Sequence, residues 1–401
     1  MKWEYKTLDQ LGTVSRGKSK HRPRNDPKLF GGKYPFIQTA DVKNADYYIT
    51  KYSDTYNESG LAQSKLWDKG TLCITIAANI ADTGVLAFPA CFPDSIMGFV
   101  PFEGVANTRF IKYCFDRLQR DCKQISQGTA QDNLSWEKLS TIKFCIPEYK
   151  EQCRIADILS AYDDLIENNQ KQIKLLEEAA QRLYKEWFVD LRFPGHENTE
   201  IVDGVPEGWE KNCAEKFFEI TIGKTPPRTE KRCFTTGENG ISWVSIADMG
   251  NSGMFVLNTA ENLTEDAIKQ YNVKVIPKNT VLLSFKLTVG RVAIASTDIC
   301  TNEAIAHFKG RRECEREYTY CYLKNFHYDE LGSTSSISKA VNSKIIKAMP
   351  FIMPSEKLLK EYSSKTKDIF DLIICKQKMD NNLKIARDRI LHKLMSGEME
   401  V

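Results

Sequence analysis

The chain has 401 residues, of which 42% are hydrophobic and 10% aromatic, so it can build two or three packed domains. No apolar run reaches the roughly 20 residues of a membrane span, and the N-terminus lacks the apolar core of a secretion signal. Its twelve cysteines contain no CxxC pair, and its net charge of +3 excludes a globally basic protein. We therefore expect a cytoplasmic protein with reduced thiols, in which any nucleic-acid signal is local.

Residues 1–150 read as a first globular domain. Short β-prone runs broken by Gly, Pro and Asp predict strands, and an amphipathic stretch behind them predicts a helix. The predicted strands are 34–40, 71–77, 84–88 and 96–101, and the predicted helix is 106–122. Short strands mixed with helices are typical of an α+β fold.

Residues 151–195 are a different kind of segment. Apolar residues recur at alternating spacings of four and three over about five heptads, which predicts a long coiled-coil helix. At 1.5 Å per residue, the stretch 151–188 would be roughly 57 Å long. The polar Asn169 lies in the apolar row, where it would fix the register at some cost in stability. The predicted seam comprises Ile155, Leu159, Ile166, Asn169, Ile173, Leu176 and Leu183.

Residues 196–355 repeat the pattern of the first domain and are assigned to a second one. The predicted strands are 241–247, 280–286, 291–296 and 303–308, followed by a helix near 314–328. The similar order of strands and helix predicts a second α+β domain of the same kind.

Residues 356–401 are predicted to form a second long helix. The step from Ile369 to Leu372 interrupts its alternation, which predicts a three-residue insertion of the kind called a stammer. Two long helices favour an antiparallel pair that separates the two domains, and the alternative is that each helix packs on its own domain. The seam is predicted to continue through Leu372, Met379, Leu383 and Ile390.

Similarity between the two halves indicates a duplication. Residues 36–42 (FIQTADV) and 243–249 (WVSIADM) lie 207 positions apart, and this offset recurs further along the chain. Gly84 pairs with Gly290 at an offset of 206, which indicates short insertions between the anchors. A constant period over half the chain is typical of an internal repeat, and an antiparallel helix pair would relate the halves by a pseudo-two-fold axis.

Motifs for catalysis are absent from the sequence. It has no phosphate-binding loop, no dinucleotide-binding glycine pattern and no ligand spacing among its five histidines, so no catalytic residue, metal or cofactor is assigned to this chain. Asp94, Glu148 and Lys150 are the residue types of a metal-dependent nuclease and define a catalytic alternative. The wide gap between the two carboxylates argues against it.

A basic loop occurs at the same place in both halves. Flexible cations without neighbouring acids suit contacts to the phosphates of nucleic acid, whereas a solvated loop is the alternative for either copy alone. The first loop lies within residues 15–28 and the second within 223–232. The candidate phosphate-binding residues are Arg16, Lys18, Lys20, Arg22, Arg24, Lys224, Arg228, Lys231 and Arg232.

Polar residues near the repeated strands and before the long helices are candidates for base contacts. Hydroxyl and amide groups can read base edges, although they also form turns. The candidates are Gln38, Thr39, Gln127 and Gln131 in the first half, and Ser245, Ser335 and Lys339 in the second.

Several local sequences occur in a fixed order around the two helices. They are LGTVSRGKS (11–19), EITIGKTPP (219–227), QGTAQDNLS (127–135), NQKQIKLL (169–176) and ILHKLMSGE (390–398). With these sequences and the order domain, long helix, domain, long helix, the chain resembles the specificity subunit of type I restriction–modification systems.

The resemblance implies two target-recognition domains, each of which reads one half of a split DNA sequence, and helices that act as a spacer. It implies that this chain is not itself an enzyme. The implied partners are double-stranded DNA, two adenine-methyltransferase subunits and motor-nuclease restriction subunits, which would carry the S-adenosylmethionine, ATP and Mg. The second hypothesis is a duplicated protein-binding adaptor on a coiled coil, which would bind its partners without nucleic acid.

Overall fold

Two five-stranded sheets with the same strand order are the main feature of the chain. The computed structural model describes residues 3–76, 82–125, 136–237, 239–331 and 341–400. The chain divides into unit 1 (Met1–Ile166 with Asn382–Val401) and unit 2 (Glu167–Asn381). Each unit therefore combines one five-stranded sheet with parts of the two long helices.

Unit 1 is built on one mixed sheet. The strands of unit 1 are β1 (Glu4–Lys6), β2 (Gly12–Arg16), β3 (Phe30–Phe36), β4 (Tyr48–Ile49), β5 (Asp54–Tyr56), β6 (Leu72–Thr75), β7 (Thr83–Leu86), β8 (Ile96–Pro101) and β9 (Phe144–Ile146), of which five form this sheet. The sheet has the order β2-β8-β6-β7-β4 and is antiparallel except for the pair β4–β7. Strands β1 and β9 form a separate antiparallel pair, as do β3 and β5.

The helices of unit 1 cover the sheet. They are α1 (Leu8–Leu11), α2 (Thr39–Lys43), α3 (Glu58–Ala62), α4 (Thr108–Ile125), α5 (Trp136–Thr141) and the first part of α6 (Tyr149–Tyr184), with a 3-10 turn at Pro27–Leu29. Leu72 and Phe99 of the sheet pack with Phe110 and Phe115 of α4 in one buried core.

Unit 2 repeats the mixed sheet. Its strands are β10 (Ile201–Val202), β11 (Val205–Pro206), β12 (Glu210–Cys213), β13 (Glu219–Ile222), β14 (Phe234–Thr235), β15 (Ile241–Val244), β16 (Phe255–Val256), β17 (Glu261–Leu263), β18 (Val281–Ser284), β19 (Val292–Ala295), β20 (Cys300–Thr301), β21 (Ile305–Lys309) and β22 (Pro350–Met353). The five-stranded sheet has the order β13-β21-β18-β19-β16, again with one parallel pair, β16–β19. A four-stranded sheet β14-β17-β15-β20 and the pairs β12–β22 and β10–β11 complete it.

The helices of unit 2 follow the same plan as those of unit 1. They are α7 (Ala214–Phe217), α8 (Ile246–Asn251), α9 (Glu265–Tyr271), α10 (Arg316–Asn325), α11 (Ser343–Ala348), the second part of α6 and the first part of α12 (Glu356–Ser396), whose end lies in unit 1. Shorter turns are the π-helical Lys185–Val189 and the 3-10 segments His196–Asn198, Lys231–Cys233, Glu313–Glu315 and Tyr328–Leu331. No helix in the described ranges combines the length and apolar composition needed to cross a membrane.

The strand registers confirm the predicted α+β fold with an internal repeat and correct one detail. Leu72 lies opposite Val85 in unit 1, and Val281 lies opposite Ile294 in unit 2, so the offset in the sheet centres is 209. Gly84 therefore corresponds to Ala293 and not to Gly290, which precedes β19. The pairing of the two glycines was wrong because it matched residue type without the register.

The predicted strands 34–40 and 241–247 end earlier than expected. Strand β3 ends at Phe36 and β15 at Val244, and helices α2 and α8 begin within three residues of those ends. Asp41 and Asp248 at the third helical positions complete capping boxes with the residues that precede each helix. A capping box satisfies the free N–H groups of a first turn, so these short sequences become helical.

The two long helices are antiparallel within each unit. In unit 2, Asn169 contacts Asp380, whereas Ala180 contacts Tyr362, so the sequence rises along α6 as it falls along α12. In unit 1, Ile155 and Leu159 share a core with Leu391 and Leu394 near the end of α12. Of the residues predicted for the α6 seam, Ile155, Leu159, Ile166 and Asn169 are buried, and Ile173, Leu176 and Leu183 are half-buried.

The predicted seam of α12 is wrong at Leu372 and Met379, which are 44% and 47% exposed. The helix turns Ile373 inward instead, and the spacing of four and three then continues without a stammer. The seam runs through Ile369, Ile373, Lys376, Asp380, Leu383, Arg387, Ile390 and Leu394, all buried or half-buried. Three of these positions are charged, so a seam predicted from apolar residues alone lay on the wrong face of the helix.

Candidate nucleic-acid interface

One edge of each five-stranded sheet carries the loop predicted to bind phosphate. In unit 1 the end of β2 pairs with the start of β8, because Arg16 lies opposite Met97. In unit 2 the end of β13 and the end of β18 both pair with the start of β21, because Ile222 lies opposite Ala306 and Ser284 opposite Ile305. The connections at these ends therefore lie side by side.

We define the loop edge of each unit by these connections. The loop edge of unit 1 consists of residues 17–29 and 93–95, and that of unit 2 consists of residues 223–233, 285–291 and 302–304. The two loop edges occupy equivalent places in the two copies of the fold.

A glycine fixes the start of each basic loop to the sheet. The N–H of Gly17 donates to the carbonyl of Ile96 at 2.9 Å, and that of Gly223 to the carbonyl of Ile305 at 3.2 Å. A Cβ atom at Gly17 would lie 2.2 Å from the carbonyl oxygen of Phe92, and one at Gly223 would meet Thr301 Oγ1 at 2.1 Å. Only glycine permits this close approach, so the loops leave the two sheets in the same way.

Two of the candidate cations in unit 1 have contacts inside the protein. The Arg22 guanidinium donates to the carbonyls of Ser19 and His21 at 2.6 and 2.8 Å and so holds the loop. Arg24 forms an ion pair with Asp94 at 2.8 Å. Both side chains are exposed, but binding phosphate through them would compete with these contacts.

The other three candidate cations in unit 1 are Arg16, Lys18 and Lys20. All three are exposed, and no described residue forms an ion pair with them. The backbone beneath them is held, because the hydroxyl of Ser64 donates to the carbonyl of Lys18 at 2.8 Å. They combine a supported backbone with free charge, which suits phosphate contacts.

The basic loop of unit 2 is more strongly tied to its own domain through Arg228. Its guanidinium pairs with Glu261 at 2.6 Å and lies 4.2 Å and 4.6 Å from the ring centroids of Phe234 and Trp243. Such stacking with an ion pair fixes the planar guanidinium. Arg228 therefore has a structural role in the loop edge.

Two further cations of this loop also have partners. The Lys224 ammonium donates to the carbonyl of Tyr271 at 2.6 Å, and Arg232 pairs with Glu230 at 3.0 Å. Hydrogen bonds from Tyr271 and Arg232 lower the pKa of Glu230. Lys231 is exposed and has no ion-pair partner in the described part of the chain.

Glu303, which precedes β21, contacts the basic loop of unit 2. The hydroxyl of Thr225 donates to its carboxylate. Partial burial is the largest influence on this carboxyl and raises its pKa, but the hydrogen bond from Thr225 and the charges of Lys286 and Arg228 outweigh it, so the pKa lies below its ordinary value. The hairpin turn starts beside this carboxylate, because the N–H of Phe285 donates to the carbonyl of Ala304 at 2.9 Å.

The candidates for base contacts have different structural settings. The Gln38 amide donates to Asp54 at 2.5 Å, and the Ser245 hydroxyl donates to Asp248 at 2.6 Å, while both residues precede capped helices. These are structural contacts at equivalent positions, and base reading by either residue stays a prediction. Thr39 is half-buried at the start of α2. Gln127, Gln131, Ser335 and Lys339 lie outside the described residues.

Sequence reasoning missed the hairpin turn of unit 2. Lys286, Leu287 and Thr288 are exposed at its tip, and none was predicted as a site residue. The signal was present, because a short glycine-containing connection between the two apolar strands 280–286 and 291–296 is typical of a hairpin turn.

The nuclease constellation does not assemble. Asp94 lies just before the start of β8 and pairs with Arg24. Glu148 lies beside α6, whose Gln152 bonds to Val105, beyond the other end of β8. The described residues contain no group of three or more His, Cys, Asp or Glu side chains that could hold a metal ion.

Comparison with known proteins places this repeat in a wider context. The sequence profile of the family described as "Type I restriction modification DNA specificity domain" matches residues 1–178 and again residues 206–383. The MjaIX type I restriction enzyme specificity subunit of Methanocaldococcus jannaschii is 27% identical over 100% of this chain and 94% of that protein. The HindI specificity subunit of Haemophilus influenzae is 25% identical over 66% of this chain and 71% of that protein.

A solved structure shares the fold. The crystal structure of the S subunit of a type I restriction–modification system from M. genitalium matches with a TM-score of 0.56 and 16% identity, over 98% of this chain and 96% of that one. At this identity the match concerns the fold alone.

Proposed function

The chain belongs to the type I restriction–modification DNA specificity family, and from this premise we propose that it is the DNA sequence-recognition subunit of such a complex. Each unit reads one half of a bipartite target in duplex DNA. The observation that carries the proposal is the loop edge, because the duplicated fold presents exposed cations at the same place in both copies. Phosphate contacts set register and orientation there, and neighbouring polar groups read bases.

Partner subunits perform the chemistry in this proposal. Two methyltransferase subunits bring S-adenosylmethionine and extract the target adenine from the base stack. Restriction subunits bring ATP and Mg. The relatives named above are specificity subunits, which supports a non-catalytic role.

The second hypothesis, a protein-binding adaptor without nucleic acid, makes the opposite prediction about salt. Its partner binding would be insensitive to salt, whereas binding through phosphates weakens steeply as counterions compete. Electrophoretic shifts of duplex DNA by the full chain with its methyltransferase partners, over a range of salt concentrations, separate the two hypotheses.

Methylome sequencing of the host tests the proposed function directly. A bipartite methyl-adenine motif should be present in the parent strain and disappear when this gene is deleted. Restoring the gene should restore the motif, whereas restoring the triple variant Arg16→Ala, Lys18→Ala, Lys20→Ala should restore it only weakly. A methylome that does not change on deletion would contradict the proposal.

A further inference from the structure

The hairpin turn of unit 2 exposes a large apolar side chain at its tip. Leu287 is 94% exposed, the highest value among the large hydrophobic residues in the described part of the chain. Val289, next but one in the turn, is 39% exposed. Single exposed apolar residues are common on protein surfaces, so exposure alone does not assign a role to Leu287.

The turn that presents Leu287 is held from inside the protein. The buried Ser284 hydroxyl donates to the carbonyl of Thr288 at 2.5 Å and accepts from the N–H of Arg291 at 3.0 Å. The N–H of Gly290 donates to the carbonyl of Ser284 at 3.0 Å. These contacts close the turn on both sides, so the exposure of Leu287 is a built feature of the hairpin.

The backbone of Leu287 is also unfavourable for a leucine. Its φ of 62° lies in the left-handed region, which glycine and asparagine adopt more readily than residues with a bulky side chain. Neither packing nor backbone conformation therefore favours leucine at this position. A role for its side chain outside the chain explains both facts.

The surroundings of the tip indicate what Leu287 meets. Lys286 precedes it, and the N–H of Phe285, at the start of the turn, donates to the carbonyl of Ala304 at 2.9 Å. The neighbouring Glu303 accepts from Thr225 of the basic loop 223–232. The tip is thus part of the loop edge that is proposed to face duplex DNA. The major groove of B-DNA admits a two-stranded β-ribbon, and the apolar group that its base edges present is the C5-methyl of thymine.

We propose that Leu287 is a specificity-determining residue that packs on thymine methyl groups in the half-site read by unit 2. This inference rests on the proposed function, because it requires the loop edge of unit 2 to face DNA. Lys286 would contact the adjacent phosphates and contribute affinity without sequence preference.

Deoxyuridine substitution tests the inference, because it removes the methyl group and leaves the base pairing unchanged. The full chain with its methyltransferase partners first selects its bipartite target from randomised duplexes. Affinity is then measured for duplexes in which each thymine of the target is replaced in turn by deoxyuridine. We expect at least one replacement in the unit 2 half-site to weaken wild-type binding about fourfold, the effect of uncovering one buried methyl-sized group.

Two variants complete the test. In Leu287→Asn, which suits the left-handed backbone, the same replacement should have no effect, and thermal unfolding should show an intact fold. In Lys286→Ala, binding should weaken for all duplexes while the response to deoxyuridine persists.

Each outcome decides between the inference and the function beneath it. If wild-type binding is indifferent to every replacement in the unit 2 half-site, or if Leu287→Asn keeps the response, the inference is wrong while the proposed function stands. If the assembled complex selects no sequence at all, the proposed function fails and the inference fails with it.

Discussion

The two basic loops start alike and differ in how their cations are held. Gly17 and Gly223 fix the loop starts to the sheets by the same hydrogen bond. Among the described residues, three of the predicted cations of unit 1 have no internal partner for their side chains, whereas in unit 2 Lys231 is the one predicted cation in this situation. The duplication has kept the backbone geometry and changed the electrostatics, so we expect unit 1 to contribute more phosphate contacts.

The two sheet cores differ in a complementary way. Trp67 and Ile276 occupy equivalent bridge positions 209 residues apart, and Gly98 and His307 are equivalent at the same offset. In unit 1 the Trp67 ring packs on Gly98, where a Cβ would lie only 2.5 Å away. In unit 2 a smaller side chain leaves room for a buried histidine. The same register thus accommodates different residues when a large and a small side chain exchange places.

The long helices carry a buried polar contact in each unit, but of different kinds. In unit 1, Asp163 accepts from the Arg387 guanidinium and, at 2.5 Å, from the Tyr113 hydroxyl. In unit 2, the Asn169 amide donates to Asp380 at 2.8 Å. The first is a charged network and the second a hydrogen bond from a neutral side chain, so removing one partner should have unequal effects.

The largest expected effect follows from removing Asp163. Asp163→Ala leaves the half-buried Arg387 without its main partner and should lower the free energy of unfolding of unit 1 by about 3–5 kcal/mol, towards the lower value because Asp388 also contacts Arg387. Asn169→Ala in unit 2 should cost about 1–3 kcal/mol. Urea unfolding, followed by hydrogen exchange of peptides from each unit, measures both changes.

The control for this comparison is Asp163→Asn, which keeps the shape and can still accept the hydrogen bond from Tyr113. Its cost should lie between that of the alanine variant and that of the wild type. Equal costs for Asp163→Ala and Asn169→Ala would show that the charge of the unit 1 network has no special weight.

The next effect is a pH dependence of the stability of unit 2 that comes from His307. Unit 1 has Gly98 at the equivalent position and therefore lacks this contribution. Burial, with a smaller contribution from Lys274, lowers the pKa of His307 from 6.5 to about 4. The unfolded chain therefore binds a proton that the folded chain does not between these values, so stability is complete above pH 6.5 and falls towards pH 4. The full loss in the free energy of unfolding is about 3 kcal/mol, because each pKa unit of the shift corresponds to about 1.4 kcal/mol.

Hydrogen exchange of β21 at pH 7 and pH 4.5 measures this loss in unit 2. The ring nitrogens of His307 lie 2.8 and 2.7 Å from the hydroxyl oxygens of Thr221 and Thr301, so His307→Asn offers a polar side chain that does not titrate. The difference between the two pH values should shrink in His307→Asn. A difference of the same size in that variant would assign the pH dependence to other groups.

Much of the fold could be predicted because it depends on patterns local in sequence. The apolar runs of β8 and β18 and the heptads of α6 reveal these elements, because the spacing of apolar residues indicates a strand or a helix. The seam of α12 could not be read in the same way. Lys376, Asp380 and Arg387 occupy inward positions through contacts with the other long helix, and a polar residue pointing inward looks identical in sequence to one facing water.

The candidate site was predictable in place but not in detail. The basic loops were found because charge clusters are visible in the sequence. Whether each charge is free depends on residues far away, since Arg24 meets Asp94 seventy positions later and Arg228 meets Glu261. These partners are brought together by sheet register. Leu287 was missed for a related reason, because its importance lies in exposure and backbone conformation.

The smallest expected effect compares the two basic loops on DNA. Replacing Arg16, Lys18 and Lys20 by alanine should lower the slope of log affinity against log salt by about 2.7 and weaken binding roughly tenfold, whereas Lys231→Ala should lower the slope by about 0.9. Arg24→Ala is the matched control, because its charge is already paired with Asp94 and its loss should change the slope little. If the triple variant and Lys231→Ala lowered the slope by the same amount, internal ion pairs would not decide which cations reach phosphate. The two loops would then bind alike.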